Sequence, residues 1–245
     1  MKIERIGNAT LYLGNSLEIL PTLKPDFTAL ITDPPYSSGG AFRGDRINST
    51  ASKYLNNPAQ PDFHGDTRDQ RSYLAWSEMW LRKALELCLP SALFAIFTDW
   101  RQYPVTSDAV QAAGWVWRGS GVWDKTEAAR PQKAGFRAQC EYFLWGHKGR
   151  KPDLRVFQPG VFRGITPLKN RQHQAAKPIA LMEMLLKLAG PNILDPFMGS
   201  SPLGVACIRQ GLAYTGIELD PHYFDVACRR LEDAQRDYEA GREAA

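Results

Sequence analysis

The chain reads as an α/β fold on a mostly parallel sheet, and three observations carry that reading. Short apolar bursts alternate with stretches of helical period along all 245 residues. No internal repeat or low-complexity run interrupts the alternation. Hydrophobic residues make up 44% and charged residues 23%, an ordinary globular balance that excludes a disordered or fibrous molecule.

Each element has its own signal. The first strand is Thr10 to Leu13, closed by Gly14-Asn15 ahead of a helix from about Ser16. Phe27 to Thr32 is the second strand, and it ends abruptly in Asp33-Pro34-Pro35-Tyr36. A helix from about Ser72 to Leu89 places Trp76, Trp80, Leu81, Ala84, Leu87 and Cys88 at core spacing, and Pro90 stops it. Ala92 to Thr98 is a buried strand, followed by a helix to Ala113 and by aromatic-rich strands at Trp115 to Trp123 and Gln139 to Trp145. Pro178 opens a helix over Leu181 to Leu188. Asn192 to Leu194 and Ala213 to Glu218 are strands, each followed by a helix, Pro202 to Gln210 and Pro221 to Tyr238. That makes seven strands in a single domain, 1–245, with a terminal antiparallel hairpin. Two segments fit poorly: the polar loop Ser37 to Arg71 and the basic stretch Arg150 to Arg171. Long insertions in compact domains are usually functional, so substrate-contacting insertions are expected at about 37–71 and 125–171.

Charge narrows the partners. Net charge is +4, yet Arg118 to Lys177 holds thirteen Lys/Arg against four Asp/Glu, so the rest of the chain is acidic. A solvated face is the plain interpretation and a polyanion surface the sharper one. No stretch approaches a membrane span. Cys88, Cys140, Cys207 and Cys228 show neither metal-ligand nor disulfide spacing, so a cytoplasmic protein without a structural metal is expected.

Asp33-Pro34-Pro35-Tyr36 would project from the carboxyl end of a parallel strand, where open α/β sheets place ligands. An exocyclic amine conjugated to an aromatic base is a poor nucleophile. A carboxylate and a rigid backbone carbonyl that accept its N–H bonds would localise its lone pair, and two prolines supply that carbonyl. Tyr36 offers a face for an extruded base. A simple strand-ending turn is the alternative. The second site is Ile193-Leu194-Asp195-Pro196-Phe197-Met198-Gly199-Ser200-Ser201, a strand feeding a small-residue turn and a helix. About twenty residues on, Gly216-Ile217-Glu218-Leu219-Asp220 ends a strand in acid, as a ribose-binding strand does. A dinucleotide would need GxGxxG, which is missing. S-adenosylmethionine, which needs no phosphate cradle, fits better.

With these residues in view, the chain resembles the amino-methyltransferase family of DNA methyltransferases, in the circularly permuted order that puts the catalytic motif before the cofactor motif. The resemblance implies a Rossmann-like methyltransferase fold and, from the DPPY form, methylation of adenine N6 or, less often, cytosine N4 in double-stranded DNA. It implies Asp33, Pro34, Pro35 and Tyr36 as catalytic residues. The cofactor-binding set is Asn15, Asp33, Lys177, Asp195, Phe197, Gly199, Ser200, Ser201, Glu218 and Asp220, with S-adenosyl-L-methionine as cofactor and no metal. Gly121 to Lys125 and Glu141 to Gly146 resemble the strands flanking the base pocket. Tyr223 and Arg230 fall in the helix after the ribose-binding strand, and the loop from Ser37 to Arg46 looks like phage and prophage members. A homodimer is also implied. Three positions depart: Ser201 and Asn15 stand where Gly and Asp are usual, and His173-Gln174-Ala175-Ala176 replaces His-Pro-Thr-Gln, which leaves His173 without an assigned role.

The expected DNA contacts are Arg43, Arg46, Lys53, Arg68 and Arg71 in the first insertion and Lys125, Arg130, Lys133 and Arg137 in the second, most of them for phosphate rather than bases. His64, His147 and His222 are read as surface or structural. An RNA adenine methyltransferase and a catalytically silent DNA-binding subunit are the remaining alternatives.

Overall fold

The structure is a computed structural model that describes residues 2–36, 68–129, 131, 133–165 and 177–243. Of the expected site residues, Arg43, Arg46, Lys53 and Arg130 lie outside these, as do His64 and His173.

Nine strands form one mixed sheet rather than the seven expected. They are β1 (Lys2–Ile6), β2 (Ala9–Leu13), β3 (Phe27–Thr32), β4 (Cys88–Thr98), β5 (Val116–Asp124), β6 (Cys140–His147), β7 (Val161–Arg163), β8 (Asn192–Asp195) and β9 (Ala213–Glu218). Their order is β1-β2-β9-β8-β3-β4-β6-β5-β7. The two additions are the edges, where burial leaves little apolar signal to read. β1 pairs antiparallel with β2 through a two-residue turn in which Gly7 takes φ 53°, a conformation glycine adopts at no steric cost. β7 pairs with the end of β5 and is held there by Trp123 Nε1, which donates to the Gly164 carbonyl at 2.7 Å.

Strands β2, β9, β8, β3 and β4 run parallel, and β6 and β5 form the antiparallel hairpin. The helices are α1 (Ser16–Ile19), α2 (Gln70–Leu87), α3 (Tyr103–Ala112), α4 (Ile179–Leu186), α5 (Pro202–Arg209) and α6 (Pro221–Glu243). α2 starts two residues before the expected Ser72 because Asp69 caps it, its carboxylate accepting from the Ser72 amide at 2.8 Å.

Alternate side chains of the central strands go to opposite faces, as strand geometry requires. Ala29, Ile31, Ala95, Phe97 and Ile193 pack with Leu181, Leu203 and Phe224 of α4 to α6. Leu30, Phe94, Ile96 and Leu194 pack with Trp80, Leu81 and Val110 of α2 and α3. Both faces of the sheet are therefore covered, which is why its parallel strands read as unbroken apolar runs.

The chain leaves β3 through α2 toward β4 on one side, and leaves β8 through α5 toward β9 on the other. β3 and β8 are neighbours. The strand order thus reverses between them, and a crevice opens at their carboxyl ends, where ligands of such sheets bind.

Candidate functional site

Asp33 and Asp195 stand at that switch point, directly after β3 and at the end of β8. They are in different states because their neighbours differ.

Asp33 is partly exposed and meets Lys177, whose Nζ donates to Asp33 Oδ2 at 2.5 Å. The resemblance placed Lys177 with the cofactor. Its ammonium sits beside the Asp33 carboxylate and a second acid, Glu141, at 3.2 Å. Phe97, Tyr36 and Trp123 present ring faces 5.3, 5.9 and 6.0 Å from Nζ. The Lys177 side chain is only 2% exposed. Burial alone would lower its pKa, but Asp33 and Glu141 outweigh that and hold it at about 12.

Glu141 carries no role in the sequence reading beyond its place in a flanking strand. It is the second residue of β6, opposite Trp123 of β5, and Lys125 holds its other oxygen at 3.0 Å. Burial would raise its pKa; Lys177 and Lys125 bring it below the usual carboxylate value. A lone acid in the apolar run Cys-Glu-Tyr-Phe-Leu-Trp was the one available signal.

Asp195 is 4% exposed and fully engaged by the protein. It accepts from Thr32 Oγ1 at 2.7 Å, the Phe197 amide at 3.2 Å and the Tyr214 hydroxyl at 3.1 Å. Burial pushes its carboxyl up to about 7 against those hydrogen bonds. A carboxyl raised from about 3.9 when unfolded contributes stability that is complete below that value and is lost as pH rises through about 7. Relative to Asp195→Asn, the unmodified protein should therefore gain unfolding free energy between pH 7.5 and pH 5 in urea titrations. A difference that does not change with pH would refute this assignment.

The turn after β8 is shaped to hold a ligand close. Gly199 has φ 51°, and a side chain there would point into open space. Ser201 has φ 53°, the left-handed region that explains why glycine is usual at this position. Its hydroxyl donates to Tyr214 at 3.0 Å, which offsets part of that strain. Ser200 is buried and receives Arg230 on both its hydroxyl, at 2.9 Å, and its carbonyl, at 2.5 Å.

Glu218, at the end of β9, faces this turn. It accepts from the Gly199 amide at 2.9 Å and the Asp220 amide at 2.8 Å, and burial raises its pKa despite both bonds. A carboxylate has about four acceptor positions, so two amides orient it and leave acceptors for ligand hydroxyls. Phe197 packs edge-on against Trp80 at 5.0 Å and against Trp76 at 5.3 Å, forming one wall. Asn15 and Asp220 serve the backbone: Asn15 caps α1 through the Leu17 amide at 3.1 Å, and Asp220 accepts from the His222 amide at 2.7 Å at the start of α6. Together, the open space over Gly199, the oriented Glu218 and the aromatic wall fit a nucleoside.

The basic residues divide by edge. Lys125 is half-buried on Glu141, and Arg137 donates to the Glu127 and Ala129 carbonyls at 2.8 and 2.7 Å. Lys133 is exposed in the same β5–β6 loop. Arg68 stacks on Trp76 at 4.3 Å, and Arg71 is exposed in the first turn of α2. β6 runs away from the site edge, so Lys148, Arg150 and Lys151 follow its far end; Lys148 there donates to the Leu85 and Cys88 carbonyls at 2.8 and 2.7 Å. The second insertion is therefore two surfaces on opposite edges of the sheet.

No described helix is long and apolar enough to cross a membrane, and the described residues hold no cluster of acidic, His or Cys side chains fit for a metal ion.

The Escherichia coli (strain K12) protein YubD, named as a methylase, is 31% identical over 215 residues, 86% of this chain and 85% of its own. Two solved structures share the fold. The M1.HpyAVI–SAM complex has a TM-score of 0.65 at 24% identity, covering 91% of this chain and 98% of that one. The PvuII DNA methyltransferase, cytosine-N4-specific, has a TM-score of 0.69 at 16% identity over 97% and 95%. The family model described as DNA methylase, N6/N4 type, matches residues 27–229, from β3 with its Asp33 tetrapeptide through the Glu218 strand and the first part of α6. The chain belongs to the N6/N4 DNA methylase family.

Proposed function

We propose that the protein transfers a methyl group from S-adenosylmethionine to the N6 amine of an adenine flipped out of double-stranded DNA. One observation carries this reading: the Asp33 carboxylate, fixed by a buried lysine, stands at the sheet's switch point beside a nucleoside-shaped turn. S-adenosylmethionine supplies an activated methyl on a sulfonium. Glu218 would accept its ribose hydroxyls, while Phe197, Gly199 and Ser201 shape the space around it. Asp33 and the Pro34 carbonyl would accept the two amine N–H bonds, turning the nitrogen lone pair toward the methyl. Tyr36 would stack on the flipped base. As the N–C bond forms, the C–S bond breaks with its pair left on sulfur, and one amine proton leaves to solvent.

The site edge also suits a duplex. The β5–β6 loop presents Lys133 and Phe136, the latter 97% exposed, at the same end of the sheet as Asp33. Recognition is assigned to the loops at this edge and to a second copy of the chain in a homodimer.

Cytosine N4 is the second reading, favoured by the similarity in fold to a cytosine-N4-specific enzyme. Mixed-sequence duplex treated with isotopically labelled S-adenosylmethionine and digested to nucleosides separates the two. Labelled N6-methyladenine is expected, N4-methylcytosine would select the second reading, and label in neither would refute both.

The cofactor placement has its own test. Glu218→Ala should weaken S-adenosylmethionine binding by about 1.5–3 kcal/mol, the usual cost of losing a charged hydrogen-bonding partner. Calorimetry returning an unchanged Kd would mean that the ribose is held elsewhere.

A further inference from the structure

We propose that Glu141 is a positioning residue for Asp33, acting through the lysine that the two carboxylates share. The inference rests on the proposed function only in treating Asp33 as the acceptor of the target amine.

Lys177 has three N–H donors and no acceptor. One donor reaches Asp33 at 2.5 Å, and the ammonium lies 3.2 Å from Glu141. Glu141 is in turn held by Lys125 at 3.0 Å. Charge thus alternates from half-exposed Lys125 through Glu141 and Lys177 to Asp33, and it sums to zero. Three aromatic faces wall the inner lysine from water. Chains of this kind seldom exceed a well-packed apolar replacement in stability. Their placement against a reacting carboxylate is accounted for by geometry instead.

The physical effect follows from sharing. With both acids charged, the ammonium is balanced between them, and Asp33 keeps its direction and its strength as an acceptor. With Glu141 neutral, the ammonium closes on its one remaining anion. Asp33 is then drawn toward Lys177 and away from the amine. The loss appears in the chemical step and leaves the cofactor turn unaffected, because the hydrogen bonds that hold that turn run to Glu218, Tyr214 and Arg230.

The test is steady-state methylation of duplex DNA by the full chain. Glu141→Gln keeps shape and removes charge; kcat should fall at least about tenfold while KM for S-adenosylmethionine and Kd for DNA stay within about twofold. A purely structural role would not give that split. Lys177→Met leaves two like charges facing each other, so adding Glu141→Gln to it should raise kcat severalfold above the single variant, whereas structural damage would accumulate. Lys125→Gln frees one side of Glu141 at its half-exposed end and covers the case in which Glu141→Gln does not fold; there kcat at saturating DNA should fall severalfold with KM for S-adenosylmethionine unchanged. Unchanged kcat in the folded Glu141 variant, or in Lys125→Gln if that variant is the one available, overturns the inference, as does parallel loss of kcat and S-adenosylmethionine affinity. An unmodified chain that methylates no DNA brings down the proposed function and this inference together; an active one beside an unimpaired Glu141→Gln brings down the inference alone.

Discussion

Asp33→Asn is expected to lower kcat for methyl transfer by about a thousandfold or more, roughly 4 kcal/mol of barrier. The amide keeps the shape of the side chain, but it puts N–H groups where an acceptor is needed and removes the anion that Lys177 holds at 2.5 Å. The amine's lone pair then stays delocalised into the base. S-adenosylmethionine affinity should change little, because the Gly199 turn and Glu218 keep their hydrogen bonds to each other. Activity within about tenfold of the unmodified protein would sink the assignment of Asp33. Asparagine is preferable to alanine here, since truncation would also open a cavity beside a buried ammonium.

Lys177→Met should be the most destabilising single change at the site, by about 3–5 kcal/mol, because removing one partner of a buried ion pair leaves the other uncompensated. Two acids, Asp33 and Glu141, would be left facing each other. The pH dependence carries the sign. In the unmodified protein Lys177 is raised to about 12, so its contribution is complete below its ordinary pKa of 10.5 and is lost as pH rises through about 12. Glu141 is lowered, so its contribution is present above the ordinary carboxylate range and is lost as pH falls through its folded value. In the variant that acid loses one of its two cations and its pKa moves up. The deficit should therefore be widest near neutrality and should narrow toward pH 4 as the carboxylates protonate. Urea unfolding of both proteins at pH 4, 6 and 8 measures it. A deficit under about 1 kcal/mol, or one that does not vary with pH, would mean that the ammonium is not paired as described.

Much of the site was legible residue by residue, because strand ends are written locally. An apolar run that stops at Asp33-Pro34-Pro35, and another that stops at Asp195-Pro196, announce strand termini from the chemistry of a few neighbours. Two acidic strand ends separated by a small-residue turn likewise announce a nucleoside site. The edge strands were hidden for the opposite reason: three of the five residues of β1 are charged and β7 is only three residues long, so neither carries the burial pattern by which strands are recognised.

The sequence by itself determined the alternation of strands and helices, the two motif-bearing strand ends and the family to which they belong. Tertiary structure alone decided what each charged group does. Lys177 is 144 residues from Asp33 and 36 from Glu141, yet it touches both, because sheet order places β3, β4 and β6 side by side. The same order turned Asp195 inward against Thr32 and Tyr214. Local propensity acts over a few residues, whereas ion pairing in a buried site depends on which strand ends share an edge, and only the assembled sheet settles that.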